Sequence, residues 1–422
     1  MSISITSLTS SGEGVGSDKG LKVFVEGALP GEEVVVELVE KRANYARGRL
    51  VRLIAASPER VSPPCPIFGE CGGCQIMHLS YEAQLENKRK RVEEALKRIS
   101  HLDIEVPACL PSPSPFHYRN KIQLPVEKHK IGMYRKNSHE IVPLKQCLIQ
   151  QHLGEKILSF ILEAPERELL RHLLIRTAFF TQEAQVILVT SQAPTPLLKS
   201  FAENMRRAFP YLKGVVHNLN AREDNVVLST TFHTLSGEPF IYEKLLGKTF
   251  KISPAAFFQV NSEQTEHLYK TALTYADIQP QERVLDGFCG VGTLAICAAD
   301  LAREVEGIEC VPMAIKDAKE NARLNQITNC HFLCGRTEER LSSSEKFDTV
   351  FLNPPRKGCA ELLLKTLLLS LPQKIVYISC DPATLARDLA LLTTSYTLAR
   401  VQPIDMFPQT MHVETVALLI KK

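Results

Sequence analysis

From about Gln279 onward, short apolar runs alternate with longer amphipathic stretches. Ile375 to Ser379 is largely apolar and β-favouring, so it reads as a buried parallel strand. Pro382 cannot continue a ladder but suits a first helical turn, and Ala383 to Leu392 then reads as a helix. The segment from Arg283 to Leu294 reads as strand, glycine loop and helix. A second strand ends at Glu309, a fourth covers Phe347 to Asn353, and a final pair covers about 397–402 and 415–420. This rhythm predicts βαβ units, and hence an α/β sheet. Cys380 falls where strand turns into helix, at the carboxyl edge where ligands collect in such sheets. A thiol beneath helix N-terminal N–H groups ionises more readily, and the thiolate is the nucleophile. A single cysteine is, however, more often a small buried hydrophobe.

The pattern upstream is different. Residues 1–58 read as a small β-barrel, with strands at Leu21 to Glu26 and Glu32 to Leu38 and a Pro30-Gly31 turn between them. Lys41, Arg42, Arg47, Arg49 and Arg52 follow, with Tyr45 among them. Basic and aromatic side chains on a small barrel suit oligonucleotide binding, and a solvated strand face explains them equally well. Residues 59–250 form a central α+β region and residues 251–422 the regular α/β half. Tyr81 to Ile99 reads as an amphipathic helix that would pack on the α/β half, and its run Lys88 to Arg91 reads as a solvated face. His117 to Lys121, and Lys128 through Lys136, interleave aromatic and basic groups in a mixture that fits phosphate contact and base stacking.

Composition narrows the function. With 422 residues, 44% hydrophobic and 23% charged, the chain can bury a real core without disulfides. No leader pattern and no apolar run of about 20 residues is legible, so a cytoplasmic protein without a membrane partner is expected. Twelve cysteines in such a protein point to metal, cluster or catalytic roles. Cys65, Cys71 and Cys74 stand within ten residues in a glycine-rich stretch, and Cys147 is the best candidate for a fourth ligand. Four thiolates fit an iron–sulfur cluster or structural zinc, and the spacing alone does not choose. A net charge of +3 is too small to argue nucleic-acid binding by itself.

In the loop after the first α/β strand, Gly290 and Gly292 let backbone approach a ligand, and the helix start supplies N–H donors. Asp286 would repel a pyrophosphate but suits the cationic end of S-adenosylmethionine; Phe288 lies in the same loop. Glu309, about twenty residues on, is placed to accept from ribose hydroxyls. Asn353 runs into Pro354-Pro355, a rigid loop with outward carbonyls. Glu414 starts the last strand, where a carboxylate would face the same cleft or, more commonly, be a solvated edge residue.

Nearly the whole chain resembles the RNA uracil-5-methyltransferase family. Ser11 to Val15 with Gly27 to Glu32 looks like that family's TRAM domain, an OB-type RNA binder. The resemblance implies a Rossmann-like methyltransferase domain using S-adenosyl-L-methionine, with Cys65, Cys71, Cys74 and Cys147 holding a [4Fe–4S] cluster. It places Gln259, within Ala256 to Asn261, near cofactor and target base. It also implies that Cys380 adds to C6 of uracil and that Glu414 removes the C5 proton. One position departs: Asn353 stands where the family usually has aspartate. A TRAM domain together with a cluster resembles the ribosomal members, so 23S rRNA is the expected partner of a monomeric enzyme. The alternatives are a tRNA, cytosine-C5 or amino-directed RNA methyltransferase, or a non-catalytic RNA-binding assembly factor.

Overall fold

The structure, a computed structural model, describes residues 1–127 and 129–422. Lys128, one of the interleaved basic residues, lies outside the described residues. The first five strands, β1 (Ser2–Leu8), β2 (Gly14–Asp18), β3 (Leu21–Glu26), β4 (Glu33–Lys41) and β5 (Tyr45–Ala55), close into a barrel in the order β1-β2-β3-β5-β4. Alternate residues point inward, so Ile3, Ile5, Val23, Val25, Val34 and Val36 fill its centre. Gly48 of β5 is required by close approach, because a Cβ there would meet Val36 Cγ1 at 2.0 Å. The barrel's arginines are less available than expected. Arg47 is bound to Glu13, Arg49 to Glu37 and Arg42 to Glu40, so acids on the same barrel neutralise much of the row.

Helix α1 (Tyr81–Ile99) starts where the Ser80 hydroxyl accepts from the Ala83 N–H, and it packs on α9 (Pro382–Leu392) of the α/β half. Its buried face is Gln84, Lys88, Val92 and Leu96, one stripe at helical spacing. The expected solvated basic run is therefore split. Arg89 and Lys90 pair with Glu86 at the surface, whereas Lys88 is fully buried.

The central region then supplies β6 (Lys121–Glu127), β7 (Lys130–Tyr134), β8 (Ile141–Pro143), α2 (His152–Glu163), β9 (His172–Thr177), β10 (Ala184–Thr190), α3 (Pro196–Ala208), β11 (Leu212–Leu219) and β12 (Phe232–Gly237). Its strands form one sheet in the order β12-β11-β10-β9-β6-β7-β8, with α2 and α3 sharing its core. The hairpin of β13 (Ile241–Leu245) and β14 (Lys248–Ile252) leaves that sheet. Its Ile241, Leu245, Phe250 and Ile252 bury in the core of the α/β half, so the change of domain falls before β13 rather than near residue 250.

The α/β half continues with α4 (Ser262–Ala276), β15 (Arg283–Asp286), α5 (Thr293–Ala299), β16 (Glu304–Glu309), α6 (Pro312–Leu324), β17 (Cys330–Cys334), α7 (Thr337–Arg340), β18 (Thr349–Leu352), α8 (Glu361–Ser370), β19 (Lys374–Ser379), α9, β20 (Tyr396–Ile404) and β21 (Glu414–Lys421). The seven strands order as β17-β16-β15-β18-β19-β21-β20. All neighbouring pairs from β17 to β19 are parallel, and β21 inserts antiparallel between β19 and β20. Helices α4, α5 and α6 share one core, and α8, α9 and α1 share the other. Among the described residues no helix is long and apolar enough to cross a membrane.

Candidate active site

The carboxyl edge of the seven-stranded sheet opens into a cavity of about 1490 Å³. It runs from the Cys65–Cys74 loop past the ends of β15, β16, β18 and β19, and Cys380, Glu414, Glu309, Gln259 and Asn353 all line it. Cys380 lies between the last residue of β19 and the cap of α9. The antiparallel register pairs Ser379 with Thr415, so one step further Cys380 and Glu414 stand side by side at adjoining strand ends. Insertion of β21 is what brings together two residues far apart in sequence.

The electrostatics of this pair differ from the sequence expectation. The helix N–H groups after Cys380 are taken by Asp381, whose Oδ1 accepts from Ala383 at 2.9 Å and Thr384 at 3.0 Å. Burial, and then the Glu414 carboxylate, push the Cys380 thiol up to about 11, with the Arg356 guanidinium opposing them. The resting thiol is thus harder, not easier, to ionise. Burial likewise pushes Glu414 up to about 7, against the pull of Arg356. Arg356 also donates to His412 Nε2 at 3.1 Å; burial and that neighbouring cation push His412 down to about 4, so its ring accepts. No local pattern marks Arg356 or His412 for these contacts; only the fold brings the two side chains together.

The glycine loop after β15 divides its residues between cavity and interior. Phe288 and Gly290 line the cavity, and Gly290 has φ 56. Gly292, with φ 84, caps α5, and a Cβ there would press the Phe332 ring at 2.9 Å; packing explains it better than ligand approach. Asp286 is the buried last residue of β15 and does not line the cavity. Burial pushes its carboxyl up to about 7 while the N–H groups of Phe288 and Ala295 hold it down, so it braces the loop from behind. Glu309 Oε1 accepts from the Val311 N–H at 2.9 Å and from the Cys310 thiol at 3.2 Å, leaving Oε2 for another partner.

Gln259 belongs to a segment held tightly from the central region. Asn120 Nδ2 donates to the Gln259 carbonyl at 2.9 Å and to Ser262 Oγ at 2.9 Å, while the buried Arg176 donates to the carbonyls of Ser253 and Ala256. Asn261 caps α4. Of the aromatic and basic residues near 117–121, Arg119 and Lys121 line the cavity. Tyr118 does not offer a stacking face: it is buried, and its hydroxyl donates to the Pro408 carbonyl at 3.0 Å.

Cys65, Cys71, Cys74 and Cys147 line the far end of the same cavity, all as free thiols. Burial first, and the neighbouring thiols with it, push Cys71 and Cys74 upward, and Cys147 up to about 11. The Gly73 N–H donates to Cys71 Sγ at 3.4 Å, and the N–H groups of Ile149 and Gln150 favour the Cys147 thiolate. Four half-buried thiols whose anions would repel one another, with backbone donors at the Cys71 and Cys147 sulfur atoms, suit a cationic partner.

The family model described as tRNA (Uracil-5-)-methyltransferase matches residues 80–422, and the TRAM domain model matches residues 1–51. An RNA methyltransferase of Clostridium tetani is 41% identical over 98% of this chain and 95% of its own. One from Staphylococcus aureus is 40% identical, covering 98% and 96%. Among solved structures, the Pyrococcus abyssi tRNA (uracil-54, C5)-methyltransferase in complex with S-adenosyl-L-homocysteine is 30% identical over 100% of both chains, with a TM-score of 0.79. With the family model matching residues 80–422, relatives matching nearly the whole chain and a TRAM barrel at its start, the chain belongs to the tRNA (uracil-5-)-methyltransferase family of S-adenosylmethionine-dependent RNA-modifying enzymes.

Proposed function

We propose that the chain methylates C5 of a uridine in 23S rRNA, with Cys380 as nucleophile and Glu414 as general base. The observation that carries this is their juxtaposition at adjoining strand ends, on one cavity with the glycine loop and Glu309. C5 of uracil is a poor nucleophile on its own. Addition of the Cys380 thiolate to C6 makes the ring enolate-like and C5 nucleophilic. S-adenosylmethionine supplies the methyl group that C5 takes. Glu414 then removes the C5 proton, and the electron pair left behind restores the C5–C6 double bond as the Cys380–C6 bond breaks. Arg356 favours both anions, so it supports thiolate formation when the base enters. The target nucleotide has to leave its RNA stack to reach this cavity, which a single-stranded loop makes easier.

Phe288, Gly290, Glu309, Gln259 and Asn353 would contact the methyl donor, Glu309 through its ribose. Asp286 and Gly292 act behind the loop rather than on the ligand. The asparagine at 353 keeps an acceptor oxygen and adds an amide donor, so the contact it makes differs in charge from an aspartate's. Cys65, Cys71, Cys74 and Cys147 would hold a [4Fe–4S] cluster, which supplies structure to its loop, because no step above transfers an electron. A second reading, a tRNA substrate, is favoured by the full-length likeness to an archaeal enzyme named for tRNA.

RNA carrying 5-fluorouridine at the target cannot lose its C5 substituent, so a stable covalent complex should accumulate with the wild-type protein and not with Cys380→Ala. Equal yield from that variant would remove Cys380 as nucleophile. Mapping 5-methyluridine in ribosomal RNA and tRNA from strains with and without the gene decides the substrate. Loss from tRNA alone would overturn the ribosomal assignment.

A further inference from the structure

The loop 405–411 joins β20 to β21 and runs directly into His412 and Glu414. It has no ladder of its own, and Gln409 sits at φ 69, a conformation costly for a side-chain-bearing residue. Its shape is therefore set by what grips it. Three side chains of α1 do so, spaced i, i+4 and i+7 on one face. Gln84 exchanges two hydrogen bonds with Gln409: its Nε2 donates to Gln409 Oε1 at 3.0 Å, and its Oε1 accepts from the Gln409 N–H at 3.0 Å. Lys88 Nζ donates to Asp405 Oδ1 at 2.5 Å and to the Phe407 carbonyl at 3.1 Å. Arg91 donates to the Met411 carbonyl. On its other side the Gln409 carbonyl accepts from the N–H groups of Gln75 and Ile76, each at 3.1 Å.

Lys88 and Asp405 have no exposed side-chain surface at all. An ion pair so placed gains little stability over two apolar residues, because both charges lose their water. Its directional bonds, by contrast, fix where the loop lies. Asp405 Oδ1 also accepts from the Phe407 N–H at 3.2 Å, so one carboxylate ties the helix to the first turn of the loop. The charge pair holds the start of the segment, the reciprocal amides hold Gln409 further along, and three residues past its end stands the reacting carboxylate.

We infer that Lys88 and Gln84 are positioning residues for the reaction: through loop 405–411 they hold Glu414 and His412 in place beside Cys380. This rests on the reading of Glu414 as the C5 base. The test is a double variant, Lys88→Met with Asp405→Asn, which removes both buried charges and keeps the acceptor for the Phe407 N–H. Gln84→Leu serves as the second variant should the first not fold. Three quantities are read: the melting temperature, amide hydrogen exchange across 404–415, and the separate rates of Cys380 adduct formation and release. The expected result is a melting temperature within a few degrees of wild type, exchange at 406–412 faster by about tenfold or more, and release slowed about tenfold while adduct formation with 5-fluorouridine RNA is retained. A general loss of structure would slow both steps together and would overturn the inference. Unchanged exchange, or faster exchange with release at the wild-type rate, would overturn it too. Should the wild-type protein form no adduct, the reading of Cys380 and Glu414 fails, and exchange alone still decides whether α1 sets the loop.

Discussion

Glu414→Gln keeps the shape of the side chain and removes its charge, and its effect on Cys380 has a definite sign. The Glu414 carboxylate raises the Cys380 thiol, and two unit charges about 5 Å apart at an effective dielectric of about 20 interact by roughly 3 kcal/mol. Arg356 beside both groups, and the partial exposure of Cys380, reduce the net effect to about one pH unit, or tenfold in thiolate fraction. In RNA-free protein near pH 8, alkylation of Cys380 by iodoacetamide should therefore be about tenfold faster in Glu414→Gln than in wild type, followed by mass spectrometry of the Cys380 peptide. The difference should vanish near pH 5, because Glu414, pushed up to about 7, is then neutral in the wild type as well. On RNA the same variant should accumulate the covalent intermediate, since the C5 proton has no acceptor. Equal alkylation rates near pH 8, or a difference that persists undiminished near pH 5, would refute the electrostatic account of this pair.

Glu414 also ties stability to pH. Its folded pKa lies near 7, above the ordinary 4.5, so stability is fully present below about 4.5 and falls as pH rises through 7, by roughly 3 kcal/mol in all. Glu414→Gln should flatten that fall, which thermal melts between pH 5 and 8 would show or deny. Asp381→Ala removes the cap of α9, at a cost of about 1 kcal/mol, and one of the charges that raise Cys380; lower melting temperature with faster alkylation is expected, and slower alkylation would contradict it. Gly48→Ala forces a methyl onto Val36 and should destabilise the barrel by about 1–3 kcal/mol, read as earlier melting; a neutral result means the strands part more easily than their register indicates. Anaerobically prepared protein should contain iron with acid-labile sulfide, and Cys74→Ala should lack both; zinc without sulfide would exclude the cluster. Because Gln75 and Ile76 donate to Gln409, that variant should also exchange faster at 409–412.

Sequence by itself determined what depends on neighbours along the chain. The strand–loop–helix at 283–299, the strand-to-helix junction at Cys380 and the cysteine trio at 65–74 are local patterns, and their periodicity and turn residues specify them. The barrel was legible for the same reason, since alternation of period two fills its centre. Only the tertiary structure decided what depends on partners far away. Lys88 looked like one charge in a solvated run until the fold set Asp405, 317 residues on, against it. Tyr118 looked available for stacking, yet its hydroxyl is spent on Pro408. The hairpin at 241–252 carries no mark of which core it joins. Cys380 shows the difference most plainly. Its place at a ligand-facing edge follows from the pattern around it, but its proton affinity follows from burial, from Asp381 taking the helix donors, and from a carboxylate brought alongside by an inserted antiparallel strand. Burial and long-range charge are properties of the packed chain, and no local pattern encodes them.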